Sequence, residues 1–120
     1  MKTILAVLAS ALALNAQAAN ELKIGFLSTL SGPAGTIGVE IRDGFNLALK
    51  MAGGKLGGLP TEVVFADDTL NPEVGKQLAE RLIKRDRVNL MTGVVFSNVM
   101  LAVWPTIQDG KVVYFAPNAT

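Results

Sequence analysis

Apolar positions along the chain form two kinds of pattern, and the two alternate. Lys23 to Leu27 is a compact apolar stretch with poor alternation, which predicts a short buried strand; Ser28-Thr29-Leu30-Ser31-Gly32-Pro33 then ends it in a loop. From Ile37 the apolar residues Ile41, Phe45, Ala48, Leu49 and Ala52 recur at helical spacing until Gly53-Gly54 stops the pattern. Gly53 to Gly58 reads as a linker, and Glu62 to Ala66 as a second strand. Asn71-Pro72-Glu73 supplies a helix cap, a proline at the first helical position and an acid in the first turn, so a second helix starts there. Its apolar face is Val74, Leu78, Ala79, Leu82 and Ile83, and Lys84, Arg85 and Arg87 form a solvated basic end that suits the helix dipole. Val88 to Val95 predicts a third strand, and Ser97-Asn98 can cap a third helix running toward Ile107. Pro105 should kink or shorten that helix, and Val112 to Ala116 predicts a fourth strand. Strands and helices alternating at this spacing imply right-handed crossovers and a parallel sheet, hence a doubly wound α/β unit.

The first residues change the picture of where this unit works. Lys2 gives a positive start, Ile4 to Leu14 an apolar run, and Ala16-Gln17-Ala18 a small-x-small cleavage signal, so residues 1–18 are expected to be a signal peptide cut after Ala18. The run is shorter than the roughly 20 apolar residues a membrane-spanning helix needs. The whole chain carries 11 Lys and Arg against 10 Asp and Glu, and loss of Lys2 would leave it neutral, with no electrostatic footprint for nucleic acid. With no Cys and no His, disulfides, thiol chemistry, His-based triads and nearly all zinc sites are excluded. Residues 19–120 hold enough apolar side chains for one small core, and the sheet is expected to continue beyond Thr120, the chain being a fragment.

In open parallel sheets, ligands lie beyond the carboxyl ends of the strands, where the winding reverses. Three segments arrive at such ends: Ser31-Gly32-Pro33-Ala34-Gly35, Phe96-Ser97-Asn98 and Asn118-Ala119-Thr120. All are rich in small or hydroxyl-bearing residues, and a helix starting beside Ser97 offers partial positive charge to a carboxylate. Other motifs do not fit their chemistry. Gly32, Gly35 and Gly38 lack the spacing of a dinucleotide fingerprint, and Gly53 to Gly58 has no Ser or Thr after its lysine to make a phosphate loop. Asp67 and Asp68 are adjacent at a strand end, where neighbouring side chains point apart, so they read as loop residues rather than as a metal site or an acid/base pair. No cofactor, no metal and no catalytic residue is expected.

Ile24-Gly25-Phe26, Leu30-Ser31-Gly32-Pro33, Gly38 and Arg42 to Ala48 resemble the opening of the periplasmic leucine/isoleucine/valine-binding family. Gly53 to Gly58, Asp67-Asp68, Pro72 to Ala79 and Thr92 to Val99 are most similar to its aromatic-carboxylate-binding branch. The resemblance implies a two-lobed fold, with residues 19–120 forming the first part of lobe 1 and a ligand held in the cleft between the lobes. It also implies a periplasmic protein that passes a small carboxylate to an ABC permease. By resemblance, ligand contacts fall on Ser97, Asn98, Asn118, Ala119 and Thr120, with Ser31 and Ile37 in the first loop region. Asn118 stands where the amino-acid binders carry Ala, and Ile37 where they carry an aromatic; both favour an aromatic or other small carboxylate over a branched-chain amino acid. Two other classes remain open: a hydrolase on a similar sheet, in which Ser97 would need a lysine or carboxylate as base, and a ligand-sensing domain of a receptor or regulator.

Overall fold

A computed structural model describes residues 20–118. They form a five-stranded sheet, ordered β2-β3-β1-β4-β5, with helices on both faces. The elements follow one another as β1 (Leu22–Ser28), α1 (Gly35–Met51), β2 (Lys55–Leu56), β3 (Leu59–Asp67), α2 (Pro72–Lys84), β4 (Leu90–Thr92), α3 (Ser97–Gly110) and β5 (Val113–Phe115). The strand β1 pairs in parallel with β3 on one side and β4 on the other, and β4 pairs in parallel with β5. Its central place explains its unbroken apolar run: Ile24, Phe26 and Leu27 are fully buried because neighbours and helices cover both faces. The expected doubly wound parallel sheet is the observed fold.

One segment differs from expectation. Gly53 to Gly58 is not a linker: Lys55 and Leu56 pair antiparallel with Pro60 and Leu59, making a fifth strand. Gly57 and Gly58 form the two-residue turn between them, at φ of 58° and 80°. Both central positions of such a tight hairpin turn require positive φ, which glycine adopts without a steric penalty.

The helices take opposite faces. Against one face pack α2 and α3, whose Ala79, Leu82, Val99, Val103 and Ile107 join Leu27, Ala66, Val88, Met91 and Val94 in a single buried core. Asn71 caps α2, its Oδ1 accepting from the N–H groups of Glu73 at 2.9 Å and Val74 at 3.2 Å. At the other end, Asp86 pairs with Arg85 at 2.9 Å and Arg81 at 3.3 Å, so the basic cluster is partly neutralised in place. Hydrogen bonding from Arg85 holds the Asp86 carboxyl below the usual carboxylate range. Pro105 does not shorten α3, which continues to Gly110. The missing proline N–H frees the carbonyl of Leu101 one turn earlier, and both residues face solvent, where water replaces the bond. On the opposite face α1 packs more lightly. Ile41, Phe45 and Leu49 turn toward the sheet, where the Phe26 ring lies 5.6 Å from Phe45 and 5.3 Å from Phe65, while Ala48 and Ala52 are exposed.

Candidate functional site

The winding of this sheet reverses beside β1. From β1 the chain crosses to β3 on one side, then returns past β1 to β4 and β5 on the other. The crevice above the carboxyl ends of β1 and β4 is therefore the switch point, and the loops leaving those strands form its rims. Ser31 lies on the loop after β1, Ile37 in the first turn of α1, and Ser97 and Asn98 at the start of α3. All four are exposed, Ile37 by 49%. Asn118 follows β5 and donates from Nδ2 to the Val95 carbonyl at 3.2 Å, which ties the third rim to the turn before α3. Ala119 and Thr120 lie outside the described residues.

Ser97 does not cap α3. The cap position is Phe96, in an extended conformation and without a side-chain hydrogen bond, and Ser97 is the first helical residue. The first intrahelical bond closes from Met100 N–H to the Phe96 carbonyl at 3.0 Å. The N–H groups ahead of it have no acceptor within the helix. Ser97 and Asn98 are exposed, so the Ser97 hydroxyl and these two N–H groups are open to an anion at the positive end of the helix dipole, whereas Val99 is buried.

Asp67 and Asp68 brace the first rim from the β3 side. Asp67 Oδ1 accepts from the N–H groups of Leu30 at 2.8 Å and Thr69 at 2.9 Å. Asp68 Oδ1 accepts from the Thr29 hydroxyl at 2.5 Å and the Leu70 N–H at 2.8 Å. Thr69 and Leu70 both hold positive φ, at 52° and 61°, a strain of about 1–3 kcal/mol each that persists only where surroundings enforce it. Burial pushes the Asp67 carboxyl up, but the Ser31 hydroxyl and the N–H groups of Leu30, Thr69 and Ser31 outweigh it and hold the pKa below its ordinary value. For Asp68 the balance reverses: burial, reinforced by the charge of Asp67, raises its pKa despite Thr29 and Leu70. Sequence reasoning treated the pair as loop residues and did not see that each spans two loops. The only signal was their place at a strand end.

A cavity of about 310 Å³ lies along the flank of α3, lined in part by Val94, Met100, Trp104 and Tyr114. Of the candidate residues it touches only Asn118; Ser31, Ile37, Ser97 and Asn98 do not line it. Tyr114, the chain's single tyrosine, accepts the Val94 N–H at 3.2 Å, and burial pushes its phenol up to about 12 against that hydrogen bond. Near-UV absorbance should therefore show no phenolate until the pH nears 12 in the folded protein. The stability this group contributes is complete below pH 10, the ordinary tyrosine value, and is lost as pH rises toward 12. A phenolate signal at the ordinary value in folded protein would show that the ring is solvated.

Among the described residues, no group of three or more Asp or Glu side chains could hold a metal ion, and no helix is long and apolar enough to cross a membrane.

Comparison with known proteins agrees with this fold. The chain is 31% identical over 109 residues to Leu/Ile/Val-binding protein homolog 6 of Brucella abortus, covering 90% of this chain and 28% of the relative. It superposes on an ABC transporter substrate-binding protein from Sphaerobacter thermophilus with a TM-score of 0.79 and 37% identity, over 82% of this chain and 27% of that one. A solute-binding protein of an ABC transporter from R. palustris, in complex with benzoate, matches with a TM-score of 0.78 and 31% identity, over 82% of this chain and 28% of that one. The chain thus spans little more than a quarter of the length of these relatives. Residues 21–120 match the periplasmic binding protein family, and on that match, with the sheet order and switch-point crevice described above, the chain belongs to it.

Proposed function

We propose that the chain is the first part of lobe 1 of a solute-binding protein that captures a small carboxylate, an aromatic acid in preference to a branched-chain amino acid, for an ABC permease. The observation that carries this reading is the uncapped start of α3. Ser97 and the free N–H groups behind it stand after the carboxyl end of β4, the neighbour of the strand whose loop carries Ser31, with no cationic side chain among these residues. A carboxylate leaving water needs its hydrogen bonds replaced, and a hydroxyl with oriented N–H groups does so. An amino acid would also need an acceptor for its ammonium group. The carboxylates at this edge, Asp67 and Asp68, are engaged with hydroxyl and N–H donors of the loops after β1 and β3. The benzoate-bound relative supports the same ligand class. Ser31, Ile37, Asn98 and Asn118, with Ala119 and Thr120, complete this wall of the cleft, and a second lobe supplies the other. No enzymatic step is assigned to these residues; the matched relatives are named as binding proteins.

Isothermal titration of the intact protein, recovered from the periplasm, tests the reading. We expect benzoate or a hydroxybenzoate to bind more tightly than leucine or isoleucine. We also expect a mass lacking Met1 to Ala18, the signal peptide, which lies outside the described residues. Tighter binding of leucine than of any benzoate would reverse the ligand assignment, and a retained leader would remove the export assignment.

A further inference from the structure

We propose that Asp67 and Asp68 are positioning residues of the ligand site, holding the β1–α1 loop in the shape that presents Ser31 and the start of α1 to the crevice. The proposal rests on reading this edge as the ligand site. Each carboxylate joins two loops through its Oδ1. Asp67 Oδ1 takes an N–H from Leu30 in the first loop and one from Thr69 in the second; Asp68 Oδ1 takes the Thr29 hydroxyl and the Leu70 N–H. Past the last strand bond, from Asp68 N–H to the Ser28 carbonyl at 3.0 Å, these contacts carry the link between the two loops. Within its own loop, the segment from Leu30 to Ala34 has the turn bond from Gly35 N–H to the Gly32 carbonyl, at 3.0 Å.

Neither carboxylate is placed to meet a ligand directly. Asp68 is fully buried, and its Oδ2 and the nearby Ser28 Oγ are buried without partners, a costly arrangement that an apolar residue would avoid. Retaining an ionisable group there is explained by what its other oxygen holds. Asp67 is half-buried, and its hydrogen bonds go to Leu30, Thr69 and Ser31, all within the two loops. The pair therefore acts through the loop, and its effect on binding should vanish when the loop no longer contributes a ligand contact.

A double-mutant cycle on the intact protein, titrated with benzoate and with leucine, reads this coupling. Asp67→Ala should weaken the better ligand about ten-fold and speed hydrogen exchange at the Leu30 amide. Asp67→Asn should restore both, because the amide oxygen still accepts from Leu30. Ser31→Ala should weaken binding in the wild-type background and have little further effect beside Asp67→Ala. Should Asp68→Ala fail to fold, the Asp67 and Ser31 variants complete the cycle without it. Wild-type binding that survives Asp67→Ala unchanged, or strictly additive losses, would overturn the proposal alone. Wild-type protein that takes neither benzoate nor leucine would overturn the site assignment and this proposal together.

Discussion

Replacing Ser97 by alanine should weaken carboxylate binding by about ten- to a hundred-fold while leaving the thermal midpoint almost unchanged. A hydrogen bond to a charged group is worth about 1.5–3 kcal/mol, and each 1.4 kcal/mol is a factor of ten in affinity. Serine beside a helix start usually invites a second explanation, that it caps the helix, in which case removal costs about 1 kcal/mol of stability and no affinity. The geometry separates the two. Phe96 holds the cap position, Ser97 is already helical and exposed, and no side-chain bond closes on the first turn, so truncation removes no structural contact. Exposed substitutions of this kind usually stay within about 0.5 kcal/mol in stability. Calorimetric titration and a melt on the same variant decide the matter. A lowered melting temperature with unchanged affinity would show that the hydroxyl serves the helix and that the carboxylate is held elsewhere.

The parts of this fold that were legible in the sequence are those fixed by local chemistry or by burial on two sides. The strand β1 announced itself because a central parallel strand must be apolar on both faces, and α2 because Asn71, Pro72 and Glu73 each satisfy a need of a helix start. The hairpin at Gly57-Gly58 carried a local signal as well, but its strand is two residues long and presents no periodicity to read. The crevice itself was legible as a class of place, because strand ends and small residues point to it. Which helix start lay open was not legible. A serine preceding a helix looks like a cap in sequence, and only the backbone at Phe96 shows that the helix begins one residue earlier than a capping serine would allow. The bracing by Asp67 and Asp68 was hidden for a different reason. Their partners, Thr29 and Leu30, lie 39 and 37 residues away, and become neighbours only through the parallel pairing of β1 with β3.

Two glycines on the same helix should respond to alanine in opposite directions. Gly38 sits where α1 passes over the end of β1, and a methyl group there would lie 2.0 Å from the Thr29 carbonyl oxygen and 2.7 Å from Ser28 Oγ. The first of these is backbone and cannot rotate away. Either α1 lifts from the sheet or the loop after β1 moves, and both disturb contacts already made by Phe45 with Phe26 and by Thr29 with Asp68. Overpacking of this kind typically costs 1–3 kcal/mol, and a backbone clash this close places Gly38→Ala at about 3 kcal/mol or beyond. Gly44, six residues further along α1, is exposed and has nothing within 4 Å of an added methyl. There the substitution removes only glycine's conformational freedom in the unfolded chain, so Gly44→Ala should stabilise by about 0.5–1 kcal/mol. Chemical denaturation of the two variants beside wild type measures both. The ligand titration adds a consequence specific to Gly38: displacement of the loop that carries Ser31 should lower affinity as well as stability, whereas Gly44→Ala should leave affinity alone. Equal, mild effects at both positions would mean that α1 does not approach β1 as closely as the backbone here requires, and that the first rim of the crevice is set by the Asp67 and Asp68 contacts without the helix.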